Sequence, residues 1–147
     1  MKRIVLDCSV TMAWCFREEQ TPFTLSLLDR VKEAGAVVPA IWPFEVLNTL
    51  AVAERRNRLD SPTSARFIEL LSALPILIDP DLVWPPTPDF LETTRKYCLT
   101  AYDAAYLRLA LRNEAPLATL DRALLTAAKK VGVEILKKPP PKKRSRD

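Results

Sequence analysis

The chain has 147 residues, the size of one domain, and its 48% hydrophobic content is enough for a core. It carries 22 basic and 18 acidic residues, net +4, and no histidine. The missing histidine excludes His-based cleavage of RNA, His zinc ligands and Ser-His-Asp chemistry, and two glycines, Gly35 and Gly132, are too few for a phosphate-cradling Gly-rich loop.

The first element is a short strand at about residues 3–6, Arg-Ile-Val-Leu, which ends abruptly in Asp7. Apolar runs of this kind suit the central strand of a parallel sheet, buried on both faces. Ser9 is expected to cap a short helix through Val10, Ala13 and Trp14. After the polar break at residues 17–20, Thr21 caps a second helix with Pro22 at its first position, and Gly35 stops it. Residues 36–39 read as a second strand. A third helix, about 43–56, carries Glu45 and Asn48 and ends in Arg55, Arg56 and Arg58, which suits the helix dipole. Ser61-Pro62 starts a fourth helix with Phe67, Ile68, Leu71 and Leu74 on one face.

Residues 76–78 are a third strand, and Pro80, Pro85, Pro86 and Pro88 hold an extended connection. Helices follow at about 88–98 and from Thr100 to about 112. Residues 117–120 form a strand, Asp121 to Val131 a helix ending at Gly132, and residues 134–136 a candidate last strand. This alternation predicts an α/β fold, a parallel sheet of about four or five strands sandwiched by helices, in one domain over residues 1–136.

The tail, residues 137–147, holds six basic residues and one acidic. Residues 1–136 therefore carry 16 basic and 17 acidic, net −1. The tail has little to bury and is expected to be disordered, either as a solubilising end or as a weak phosphate contact. Cys8, Cys15 and Cys98 form no C-x-x-C pair and read as reduced core thiols of a cytoplasmic protein. No signal peptide and no membrane-spanning run is expected.

Four acids stand out, and each has an ordinary explanation beside a functional one. Asp7 lies at the carboxyl end of a strand, where open α/β sheets bind ligands, but an Asp there also suits backbone N–H groups of the following turn. Glu45 sits among Trp42, Phe44, Val46 and Leu47. Helix-dipole stabilisation explains an acid in a first turn but not one in so apolar a setting. On a helical wheel Glu45 lies about 180° from Glu54 and about 140° from Arg58, hence inward, with Asn48 one turn on. Asp103 resembles the second half of a capping box opened by Thr100. Yet it lies about 140° from Arg108 and about 180° from Arg112, on a helix with apolar stripes at Tyr102, Ala105, Tyr106 and Leu109 and at Ala104, Leu107 and Leu111. Asp121 follows a strand and suits an N-cap, with Thr119 two residues earlier adding a hydroxyl. Four such acids, of which only Asp121 has a basic neighbour in sequence, Arg122, repel one another unless a cation fills the cluster, and Mg²⁺ or Mn²⁺ suits oxygen ligands.

The stretches Ile-Val-Leu-Asp7-Cys-Ser9-Val, Phe-Glu45-Val-Leu-Asn48-Thr-Leu, Thr100-Ala-Tyr-Asp103-Ala-Ala-Tyr and Leu-Ala-Thr119-Leu-Asp121-Arg-Ala-Leu together resemble the PIN-domain nucleases, and most closely the VapC-like toxins of toxin–antitoxin modules. The resemblance runs from Arg3 to about Leu136. It implies acids clustered at the carboxyl edge of a parallel sheet, a Mg²⁺- or Mn²⁺-dependent endoribonuclease, a homodimer and a cognate antitoxin. By position it carries catalytic and metal-binding roles onto Asp7, Glu45, Asp103 and Asp121, with Ser9, Asn48 and Thr119 in support. Asp121 is the least constant of these positions in such families. The rival is a catalytically idle PIN-like module that binds RNA or a protein, for which an exposed subset of Trp14, Phe16, Phe23 and Trp42 would form an apolar groove. A phosphotransfer receiver-like domain fits less well, because no matching lysine follows a late strand.

Overall fold

The structure, a computed structural model, describes residues 1–80 and 84–139. The expected Pro-rich connection lies partly at residues 81–83, and most of the basic tail at 140–147, outside the described residues.

Ile4, Val5 and Leu6 form β1 (Ile4–Leu6) and are fully buried, each worth roughly 1.5–3 kcal/mol of apolar burial. β1 pairs in parallel with β2 (Ala36–Pro39) on one side and β4 (Leu117–Ala118) on the other; β3 (Ile76–Asp79) pairs with β2. The order β3-β2-β1-β4 is therefore all parallel, as expected. The expected last strand is reduced to one parallel bridge, Leu117 to Ile135, so the sheet has four strands. Thr119 and Leu120 lie past the end of β4, where Thr119 turns its hydroxyl to the site instead of continuing the ladder.

The chain steps from β1 outward to β2 and β3, then returns to the opposite side of β1 as β4. This reversal opens a crevice at the carboxyl ends of β1 and β4, the place where open α/β sheets bind ligands.

The helices are α1 (Cys8–Cys15), α2 (Pro22–Ala34), α3 (Trp42–Arg55), α4 (Ser61–Ser72), α5 (Pro88–Tyr97), α6 (Ala101–Asn113) and α7 (Arg122–Val131), with a 3-10 turn at Arg17–Glu19. Helix α6 packs on β1 and β2, and α1 packs on α2 and α3. Thr21 caps α2 through a reciprocal box with Thr24. The cap of α1 is Asp7, not Ser9, because Val10 and Thr11 already donate to the Asp7 carbonyl. Trp14, Phe16 and Trp42 are core residues and Phe23 is half-buried. Trp14 Nε1 donates to the Thr24 carbonyl at 2.7 Å and Trp42 Nε1 to Thr11 Oγ1 at 3.1 Å, so these aromatics bind helices together, and of the four only Trp42 lines an apolar groove. Ile68, Tyr102 and Leu111 stand exposed, outside the stripes assigned to them. Cys98 is also exposed, not a core thiol, on a left-handed residue that ends α5. No described helix is long and apolar enough to cross a membrane.

Gly35 ends α2 at φ 80°, ψ 170°, a conformation nearly confined to glycine, and an added Cβ would lie 3.0 Å from the Pro75 carbonyl oxygen. Gly132 has φ 78° and ψ 20°, with nothing within 4 Å of an added Cβ. Gly35→Ala should therefore cost about 2–3 kcal/mol and Gly132→Ala about 1 kcal/mol, read as a larger fall in urea midpoint for the first. Equal losses would contradict this assignment.

Candidate acidic active site

Asp7 follows the last residue of β1 and is 4% exposed, as is Thr119 beyond β4. Ser9 Oγ donates to Asp7 Oδ2 at 2.6 Å and Thr119 Oγ1 donates to the same oxygen at 2.7 Å. Each hydroxyl is itself tied down by a backbone donor. Leu120 N–H reaches Ser9 Oγ at 3.0 Å, and Asp121 N–H reaches Thr119 Oγ1 at 3.0 Å. Burial pushes the Asp7 carboxyl above its ordinary range. The two hydroxyls oppose that shift, the Asp121 charge adds to it, and the Cys8 N–H opposes it.

Glu45 lies in the first turn of α3 and is half-buried. Tyr106, fully buried on α6, donates its hydroxyl to Glu45 Oε1 at 2.7 Å. Burial raises the Glu45 carboxyl, the Tyr106 bond lowers it, and the charges of Asp7 and Asp103 raise it again. Burial, with the Glu45 bond and charge next, also lifts the Tyr106 hydroxyl, so it stays a protonated donor. Sequence reasoning placed Tyr106 in an apolar stripe. The signal for its role was its spacing, one turn after Asp103 in an otherwise aliphatic stretch.

Asp103 is capped as expected, its N–H donating to Thr100 Oγ1 at 3.1 Å, so α6 begins one turn before the acid. Its carboxyl is pushed up to about 6, first by burial, then by the charges of Asp121 and Asp7, against a bond to Thr100. Asp121 caps α7, accepting from the Leu124 N–H at 2.8 Å, and its charge still acts on Asp7 and Asp103. The capping reading of Asp121 therefore holds, and the cap leaves its charge within reach of the two other acids. Cys8 lies beneath the cluster, its thiol pushed up to about 12 by burial and by the charges of Glu45 and Asp7.

Thus the fold couples Asp7 electrostatically to Glu45, Asp103 and Asp121, and Asp103 to Glu45 and Asp121, with Ser9 and Thr119 hydrogen-bonded to Asp7. Asn48 is the exception: it is exposed, one turn along α3 from Glu45. Two supports of the wheel argument for Glu45 also change. Helix α3 stops at Arg55, so Arg58 lies off its wheel, and Phe44 is 68% exposed. Glu45 is inward because α3 packs on α1 and Tyr106 reaches it from α6.

Among the described residues the ion pairs are Lys32–Asp29, Arg58–Glu18, Arg108–Asp89 and Arg112–Asp79, and none includes a cluster acid. The donors are all oxygen, which suits a hard dication. Among the described residues, however, no three acids or thiols are gathered as a ready ligand set. The oxygen donors suit a hard dication by their chemistry, without forming a complete ligand set among the described residues.

A parallel α/β domain with acids at its carboxyl-edge crevice is the class defined by this geometry. The PIN domain family model matches residues 4–130, and the chain belongs to that family. Similar solved structures include that of PAE2754 from Pyrobaculum aerophilum, 25% identical, covering 91% of this chain and 83% of that one with a TM-score of 0.66. FitAcB from Neisseria gonorrhoeae is 18% identical, covers 91% and 96%, and has a TM-score of 0.62. A domain of a functionally unknown protein from Methanocaldococcus jannaschii DSM 2661 is 17% identical, covers 95% and 93%, and has a TM-score of 0.53. The last two likenesses concern the fold alone. No curated protein matches the sequence.

The raised carboxyls carry a pH consequence. The native state holds a proton on Asp103 that the unfolded chain has released, so this group's contribution to stability falls as pH rises from the ordinary 3.8 to about 6, and stays low above that. Metal-free Asp103→Asn should melt about 2–5 °C above wild type near pH 7.5, with the gap closing below about pH 4. A lower melting temperature for the variant near pH 7.5 would contradict the repulsion.

Proposed function

We propose that this chain is a metal-dependent endoribonuclease that hydrolyses RNA phosphodiester bonds, the VapC-like toxin of a toxin–antitoxin pair. The observation that carries the reading is the acid cluster itself. Four carboxylates from four regions of the chain share one crevice, burial and like charge raise the proton affinity of Asp7, Glu45 and Asp103, and none of the four forms an ion pair among the described residues. An arrangement that lowers stability in the bare protein is accounted for by a use that needs concentrated negative charge.

In this reading Asp7, Glu45, Asp103 and Asp121 hold Mg²⁺ or Mn²⁺, directly or through water. When bound, the dication acidifies water and stabilises charge on phosphate and on the departing 3′-oxygen. The residues of the chain supply position. Ser9 and Thr119 fix the Asp7 carboxylate on one oxygen, and Tyr106 fixes Glu45. Asp103, whose carboxyl is pushed up to about 6, orients the attacking water and accepts its proton at a carboxylate oxygen. Water as nucleophile leaves the ribose 2′-hydroxyl unused, so the absence of histidine is no handicap and the products carry 5′-phosphates.

Residues 1–136 would form the nuclease domain, with the basic tail at 137–147 beyond it. A homodimer and a cognate antitoxin belong to the same reading. An open apolar groove of about 330 Å³, lined by residues including Trp42, Leu47, Ile68 and Ile78, supports a protein partner, because exposed apolar surface of this kind marks interfaces. The second reading, an idle module that binds RNA or a partner without cutting, shares that groove but not the need for the acids.

Purified protein with Mg²⁺ should cleave single-stranded RNA to 5′-phosphate ends, and Asp7→Asn should lose at least about 100-fold in rate. Mn²⁺ should raise the melting temperature of wild type and do so less for Asp7→Asn. Equal cleavage by both proteins would mean a contaminating nuclease. Binding of RNA with neither cleavage nor Mn²⁺ stabilisation would favour the idle module.

A further inference from the structure

A cluster of acids repels the polyanion that the proposed activity requires, and residues 1–136 carry net −1. Beyond whatever the basic tail contributes, holding RNA in register at the acids calls for cations at a fixed place on the folded body. One polar cleft, about 280 Å³, runs along α3 and is lined by Asn48, Thr49, Val52, Ala53, Arg56 and Arg58. Asn48, Val52 and Arg56 follow one another at every fourth residue, so they form one stripe. Glu45 begins that stripe one turn earlier, and Thr49 Oγ1 donates to the Glu45 carbonyl at 2.8 Å. The rise from Glu45 to Arg56 is about 16 Å, the span of a few nucleotides. The cleft thus starts one helical turn from Glu45 and ends in positive charge.

The positive end is built by the backbone. Arg58 N–H donates to the Ala53 carbonyl at 2.9 Å and Asn57 N–H to the Glu54 carbonyl at 3.0 Å, with Asn57 at φ 56°. These are the two bonds of a Schellman turn, with asparagine in the left-handed position. The turn folds Arg58 back over the Phe16 ring at 4.1 Å, where its Nη2 meets Glu18 at 2.6 Å. Arg58 is thereby held in place, and its charge is shared with Glu18. Arg56 is exposed and forms no ion pair among the described residues. Helix-dipole compensation explains basic residues at the end of α3. It does not explain a turn that returns a second arginine to the same cleft.

We infer that this cleft is a subsite for a backbone phosphate of single-stranded RNA, a few nucleotides from the bond cut at the acids. Arg56 is its main cation, Arg58 a fixed second one, and Asn48 a neutral donor between them and Glu45. The exposed position of Asn48, which removes it from the acid cluster, is what such a track requires. The inference rests on the nuclease reading above.

The test is binding of a fluorescent single-stranded RNA of about 12 nucleotides, by anisotropy across a KCl series, in an Asp7→Asn background that leaves the RNA intact. Arg56→Gln should weaken binding several-fold and reduce the slope of log affinity against log salt by about 0.7, one phosphate contact, while Arg56→Lys keeps most of the slope. Lys32→Gln, an equal charge change on α2, is the control and should leave the slope unchanged. An Arg56→Gln slope equal to that of Lys32→Gln would overturn the subsite, and if wild type still cleaves RNA the nuclease reading stands. RNA bound through Arg56 but never cut would keep the subsite and end the nuclease reading. No RNA binding at any salt would end both.

Discussion

Two hydroxyls meeting on one oxygen of Asp7 set the geometry of the crevice. Ser9 comes from the start of α1, and Thr119 from the chain just past β4, 110 residues apart in sequence. Each donates to Asp7 and each accepts from a backbone N–H of the β4–α7 turn. The crossing of the sheet and the orientation of the first acid are therefore one hydrogen-bonded unit. Burial raises the proton affinity of this carboxylate, and the two hydroxyls, by donating to its charged form, oppose that rise.

The remaining acids are arranged around that unit by separate devices. Tyr106 reaches across from α6 to Glu45, Thr100 starts the helix that carries Asp103, and Asp121 caps α7 with one oxygen. Each device is a normal piece of local structure. Only their sum is unusual, because burial first and neighbouring charge second raise three carboxyls and a thiol together. The bare protein therefore carries strain of an electrostatic kind, relieved by protons or by cations.

Most of this was legible before the fold. The apolar runs at residues 4–6 and 36–39, Thr21-Pro22 and the two glycines located their elements to within a residue or two. So did the acids, because each breaks an apolar pattern or follows a strand. Less legible were features set by contacts distant in sequence. Strand pairing beyond Ala118 gave way to the Thr119 hydroxyl, and Ser9 yielded the cap to Asp7. Asn48 turned outward, since helical spacing fixes the angle to Glu45 but not which neighbour covers it. Tyr106 looked like any core aromatic, because a tyrosine declares its partner only when the facing helix is placed.

Trp42 joins the two surfaces of the molecule. Its ring lines the apolar groove, while its Nε1 is bonded to Thr11, which in turn donates to the Asp7 carbonyl at 3.3 Å. An indole is a fluorophore whose emission follows the polarity around it, and Trp84, 86% exposed, emits from water. The protein thus contains its own optical gauge. Its blue emission comes from the two buried indoles, Trp14 and Trp42, and the Trp42 share looks out on the groove from one side and on the floor of the acid crevice from the other, with no label attached.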